Sequence, residues 1–266
     1  MPIFRKDGKN ILFIHVPKTG GSTIEQVFKS SGYSEDFRDG NMGAGTINYL
    51  RRSTPQHMQG SILRQTFRLG RFDLIFMIVR DPMARFRSEY LWRNRHGEVS
   101  LDVEAIEQWG FAALADYAHD PYIFDNHLRP QIEFHVAGAL VYYFEDGLDD
   151  IVRRLNAEHG LDLDPVVPRV RTAEGATGAS SGDVTISPRL ERRVRDFYYE
   201  DIHTFGYVKQ VTAGAASGPT TSRGGTALSR LAFGRPRVKL ALRRAGKKSR
   251  AFIARMTRRV RRRAVV

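Results

Sequence analysis

Lys18, Ser22 and Thr23 surround two glycines in the run Pro17-Lys18-Thr19-Gly20-Gly21-Ser22-Thr23, directly after the apolar stretch Ile11–Val16. An ammonium, hydroxyls and a glycine turn that lets backbone N–H groups approach a ligand are the parts of an oxyanion site. Phosphate or sulfate is the natural guest. A second set stands further along, where Arg80 follows the apolar run Leu74–Val79 and Ser88 comes one helical stretch later. A guanidinium and a hydroxyl brought together hold one phosphate by charge and by hydrogen bond.

The surrounding residues say which elements would place these groups. Ile11 to Val16 is a short apolar run with β-branched and aromatic members, which predicts a buried strand that Pro17 ends. Ser22 or Thr23 would cap a helix beginning with Ile24, Glu25 and Val27, its positive dipole end at the loop. Leu74–Val79 predicts a second strand, apolar throughout as in a parallel sheet covered on both faces. Arg80 then lies at the carboxyl end, where open α/β sheets bind ligands. Asp81 caps the next helix with Pro82 at its first position, and Arg85, Ser88 and Trp92 fall on one face. The loop departs from the nucleotide-binding P-loop, whose lysine directly precedes the hydroxyl residue. Gly21 occupies that place and Lys18 lies earlier.

The heptad Pro17–Thr23 resembles the 5′-phosphosulfate loop of the sulfotransferases, and Val79-Arg80-Asp81-Pro82 with Arg85 and Ser88-Glu89-Tyr90 resembles their 3′-phosphate motif. The likeness is closest to carbohydrate sulfotransferases and their bacterial relatives and extends to Tyr207, through Asp125–Gln131, Tyr143-Phe144-Glu145 and Asp201–Tyr207. It implies an α/β fold with a P-loop-like parallel β-sheet flanked by helices. It also implies 3′-phosphoadenosine 5′-phosphosulfate (PAPS) as donor and a hydroxyl acceptor on a carbohydrate or glycolipid. Lys18 would supply a cation where the sulfur–oxygen bond breaks, Pro17–Thr23 would hold the 5′-phosphate, and Arg80 and Ser88 the 3′-phosphate. His57 stands between the two motifs, in the place of the family's usual catalytic base, where an ordinary pKa near 6.5 suits neutral pH. The other reading is a histidine that caps or packs beside the loop. No metal is expected, because Arg80 stands where a metal-binding carboxylate would and a sulfuryl group carries less charge than a phosphoryl group.

Elsewhere the signals are broader. Residues 31–49 read as a long loop, a candidate substrate rim, and residues 101–117 as a helix with Val103, Ile106, Phe111, Leu114 and Ala115 inward. Asn126, His127, Arg129 and Gln131 form a polar cluster that either binds a sugar or opens a solvated helix. Residues 139–145 read as a third strand and 149–159 as a helix, before an irregular loop to 187; the resemblance implies that the donor's adenosine end meets this loop, with Arg169 and Arg171 as candidates. Pro188–Asp201 reads as the last core helix.

The chain has 266 residues, a formal charge of +13 and no cysteine, which excludes disulfides, thiolate metal sites and a cysteine nucleophile. Residues 211–266 hold 16 Lys and Arg and no Asp or Glu, leaving 26 basic against 29 acidic residues in 1–210. The expected organisation is a catalytic domain over 1–210, a Gly/Ser/Thr-containing linker over 211–235 and a basic amphipathic tail over 236–266. The tail is either a helix for an anionic membrane surface or polyanion, or a solvated, disordered segment. No long apolar segment is present, so the expected place is the cytoplasm, with peripheral attachment to the inner membrane face through the tail. The rival readings are a P-loop kinase or NTPase and a polyanion-binding protein acting through the tail. The oligomeric state stays open.

Overall fold

The structure, a computed structural model, describes residues 1–97, 99–168, 175 and 177–208. Strand β1 (Ile3–Lys6) turns through Asp7 and Gly8 into β2 (Lys9–Ile14). Both turn residues have positive φ, 50° and 80°, the Asp-Gly geometry that matches the twist of a tight hairpin. The chain continues as α1 (Gly21–Ser30), β3 (Ser34–Asp36), α2 (Gly60–Thr66), β4 (Leu74–Val79) and α3 (Pro82–Arg93). It goes on through α4 (Val103–His119), β5 (Leu140–Tyr143), α5 (Leu148–His159), α6 (Pro188–Phe197) and α7 (Tyr199–Thr204).

The five strands lie in the order β3-β1-β2-β4-β5. β2, β4 and β5 are parallel, whereas β1 runs antiparallel to both β2 and β3. The sheet is therefore mixed, a correction to the parallel sheet expected from the apolar runs. A two-residue turn can only reverse the chain, whereas parallel neighbours need a helical crossover. The same edge corrects the reading of residues 31–49 as all loop, since Ser34–Asp36 pairs with β1.

Alternate side chains of the central strands feed opposite faces, as a period of two requires. Ile11, Phe13, Phe76 and Ile78 pack with Ile24, Val27 and Phe28 of α1 and Ile151, Val152 and Leu155 of α5. Leu12, Ile14, Ile75, Met77 and Val79 pack on the other face with Met58, Leu63, Phe134 and Phe205. A third cluster joins α3, α4 and α6 through Phe86, Tyr90, Ile106, Leu114, Leu190 and Val194. Each such side chain contributes about 1.5–3 kcal/mol by leaving water.

Two helical expectations change. Val103 and Ala115 are exposed, and the inward stripe of α4 is Ile106, Gly110, Ala113 and Leu114. Gly110 is there because Leu190 of α6 fills the space a Cβ would need, at 2.6 Å. The expected helix 188–201 breaks at Tyr198, which joins α6 to α7. Among the described residues no helix is long and apolar enough to cross a membrane. The linker, the tail, Arg169 and Arg171 lie outside the described residues.

Candidate active site

Parallel pairing of β2 with β4, Ile14 opposite Met77, brings the loops after both strands to one edge of the sheet. After β2 the backbone turns sharply, with Lys18 at φ 69° and Gly20 at φ 81°, both in the left-handed region. Gly20 is the N-cap of α1 and makes no side-chain cap bond. This corrects the expectation that Ser22 or Thr23 caps the helix; both lie inside its first turn. The amides of Thr23 and Ile24 bond to Gly20 O at 3.0 and 3.3 Å. Those of Gly21 and Ser22, the first of the helix, have no intrahelical acceptor.

The loop residues divide by the direction of their side chains. Pro17, Lys18, Gly20, Gly21, Ser22 and Thr23 line a cleft of about 770 Å³. Thr19 does not, because its hydroxyl donates to Val16 O at 2.8 Å and the residue is fully buried. Arg80 and Ser88 line the same cleft from β4 and α3. Asp81 caps α3 as expected, accepting from Ala84 N at 2.8 Å. The Arg80 guanidinium stacks on Phe144 and donates to Lys18 O at 3.4 Å and Ser181 Oγ at 3.0 Å. Lys18 Nζ sits 4.4 Å from the Trp92 ring centre. Burial lowers its pKa to about 8, and Arg80, Arg93 and Arg95 push the same way against Glu89. Crowded cations favour an anionic ligand.

Three histidines meet in the cleft, and each Nδ1 faces a carboxylate. His15 lies 2.5 Å from Glu25 Oε1, His57 2.7 Å from Asp125 Oδ2, and His127 2.7 Å from Glu89 Oε2. Asp125 also accepts from the Thr54 amide and hydroxyl, at 2.6 and 2.7 Å. Burial opposes the charge on Glu25 and Glu89, yet His15 with Gln56 and Arg38, and His127 with Arg93 and Lys18, together outweigh it and hold both carboxyls down, at about 2. Burial lowers His57 to about 3 against the pull of Asp125, so its pKa is not the ordinary one. It is neutral at pH 7, with the Nδ1 proton given to Asp125 and the Nε2 lone pair left over.

The polar cluster 126–131 is divided between scaffold and cleft. Asn126 donates to His57 O and to Gln59, and Gln131 bonds both the amide and carbonyl of Arg80. Arg129 is spent on Asn126, Glu133 and Pro121. Those three neither meet a sugar nor open a solvated helix, since all are buried; only His127 lines the cleft. Arg85 is also buried, clamping the carbonyls of His127 and Arg129 at 2.8 and 2.6 Å. The late loop reaches the cleft through Val167, Pro168, Ser180 and Ser181. Among the described residues no group of three His, Asp or Glu is arranged to hold a metal.

The model of the Sulfotransferase family matches residues 1–208. The chain belongs to that family. No curated protein and no solved structure matches it. Sulfuryl transfer is the family's chemistry. Asp125, Glu25, Glu89 and His15 were not assigned roles from sequence. Glu25 and Glu89 did leave a signal, since each is a charged residue on the buried side of a helix.

Proposed function

We propose that this sulfotransferase moves a sulfuryl group from PAPS to a hydroxyl on a carbohydrate or glycolipid. The supporting observation is that Lys18, the glycine-turned N-terminus of α1, Arg80 with Ser88, and the neutral His57 all line one cleft. The amides of Gly21 and Ser22, with the Ser22 and Thr23 hydroxyls, take the 5′-phosphate at the positive end of α1. Arg80 and Ser88 take the 3′-phosphate that separates PAPS from ATP. Arg80 is steadied for this by Phe144 beneath it and Gln131 at its backbone.

In the reaction His57 Nε2 accepts the proton of the acceptor hydroxyl as its oxygen attacks sulfur in line with the leaving group. The sulfur–oxygen bond to the 5′-phosphate breaks, and its electron pair stays on 3′-phosphoadenosine 5′-phosphate. Lys18 stabilises that charge as it forms, which is where a fixed cation lowers a barrier most. The products are the sulfate ester, the nucleotide bisphosphate and a proton that His57 returns to solvent. We place the enzyme in the cytoplasm, with residues 236–266 meeting an anionic membrane surface.

Equilibrium binding tests the donor. PAPS and 3′-phosphoadenosine 5′-phosphate should bind at least about tenfold tighter than adenosine 5′-phosphosulfate or ATP, or about 1.4 kcal/mol. Arg80→Ala and Ser88→Ala should erase that preference. Equal affinity of the wild type for all four would remove the donor assignment, and a preference for ATP would favour a kinase or NTPase.

A further inference from the structure

His57 is not alone in its construction. His127 lies beside it, ring centres 5.0 Å apart and nearly perpendicular, and is held in the same way by a buried carboxylate. Glu89, only 1% exposed, accepts from His127 Nδ1 and is kept ionised by that contact and by Arg93. With the Nδ1 proton committed to Glu89, Nε2 keeps its lone pair, and no partner for it is found among the described residues. Burial pushes the pKa of His127 below its ordinary value, against the pull of Glu89. Its backbone is fixed as well, the carbonyl clamped by Arg85. The cleft thus presents two carboxylate-backed imidazoles side by side, and the proposed transfer uses one.

Histidines backed by carboxylates also occur as metal ligands. Here the rings of His15, His57 and His127 stand in a row, edge to face at 5.0 Å each, and no three donors converge among the described residues. Hydroxyl protons are the better guests. Two oxygens on adjacent carbons lie roughly 2.8 Å apart, about one hydrogen-bond length, so paired O–H···N bonds from them can reach two rings at this spacing.

We propose that His127 is a positioning residue for the acceptor, accepting a hydrogen bond from the hydroxyl next to the one that His57 deprotonates. The enzyme then selects a vicinal pair of hydroxyls and sulfates one of them. His127 exchanges no proton with the substrate; it fixes the angle at which the attacking oxygen meets sulfur. This inference rests on the sulfotransferase reading of the same cleft.

The test uses the full chain, PAPS, and a panel of methyl glycopyranosides, each paired with its monodeoxy analogues. For any glycoside turned over, removing the hydroxyl next to the sulfated one should cost the wild type at least about tenfold in kcat/KM. His127→Ala should treat the parent glycoside and that analogue alike, with the loss mainly in KM. His127→Gln, which puts an amide oxygen near the place of Nε2, should restore part of the discrimination. Thermal melting of both variants shows whether they fold. A wild type indifferent to the neighbouring hydroxyl, or a folded His127→Ala that still discriminates, overturns the proposal. So does a panel that stays silent while 3′-phosphoadenosine 5′-phosphate binds to the same preparation. Absence of that binding would instead bring down the sulfotransferase reading itself.

Discussion

At the scale of single residues, the site depends on protonation states that burial sets. Burial and three arginines, against Glu89, lower the pKa of Lys18 to about 8. In the proposed reaction the protonated form is the active one; it predominates below that pH and is lost as pH rises through it. His57 is competent as a base once neutral, and burial places that change near 3 rather than 6.5. The expected profile of kcat/KM is therefore flat across neutral pH, with a descending limb near 8. A rising limb near 6.5 would contradict the proposed role of the buried His57 as base. Lys18→Ala should remove turnover while weakening product binding much less, since the charge acts as the leaving group develops. Retention of more than about a tenth of wild-type kcat, roughly 1.4 kcal/mol of barrier, would contradict that role. His57→Ala should cost about 10²–10⁴ in rate, measured at saturating acceptor.

At the scale of elements, the proposed anion site is the junction of a strand and a helix, and its shape depends on what packs behind it. A Cβ on Gly21 would lie 2.2 Å from His15 Nε2, so the loop approaches the histidine more closely than any side chain allows. On the other side, α3 is tied to the segment carrying His127 by Arg85, a 1% exposed guanidinium spanning two carbonyls. Arg85→Leu keeps the bulk but leaves both carbonyls unpartnered. It should cost on the order of 3 kcal/mol of stability, read by denaturant unfolding. A change under about 0.5 kcal/mol would mean that water takes over the bonds, as it does at surface positions. Glu145 ties the same helix to the end of the described chain, accepting from Asp81 N at 2.7 Å and Tyr207 Oη at 2.9 Å.

At the scale of the whole molecule, charge is divided unevenly. All of the positive excess lies after residue 210, while the part before it is slightly acidic. A basic stretch of this kind adds up to about 1 kcal/mol of attraction per residue at an anionic lipid surface, and salt screens it. Truncation to residues 1–210 should therefore leave an enzyme active on a small soluble acceptor, and only the full chain should sediment with anionic vesicles at low salt. Equal sedimentation of the two proteins would sink the membrane reading.

What could be read from the sequence was what lies close together along it. The heptad Pro17–Thr23 carries its own turn, charge and helix start, and Leu74–Val79 with Asp81 and Pro82 carries the second junction. Local sterics, and at α3 the Asp81 cap, suffice for those, so both strands, both helices and the family itself were legible. The antiparallel edge was less so, because its Asp7-Gly8 turn is short and the apolar runs beside it read equally well as parallel strands. His57 stood out by its place between the motifs, but the carboxylates behind the histidines and their burial were not legible. His57 and Asp125 are 68 residues apart, and His127 and Glu89 are 38 apart on separate elements. Whether an imidazole is a base, an anchor or a surface group depends on its burial and on the carboxylate at its back. Both are supplied by the fold, which brings distant segments together where water is excluded.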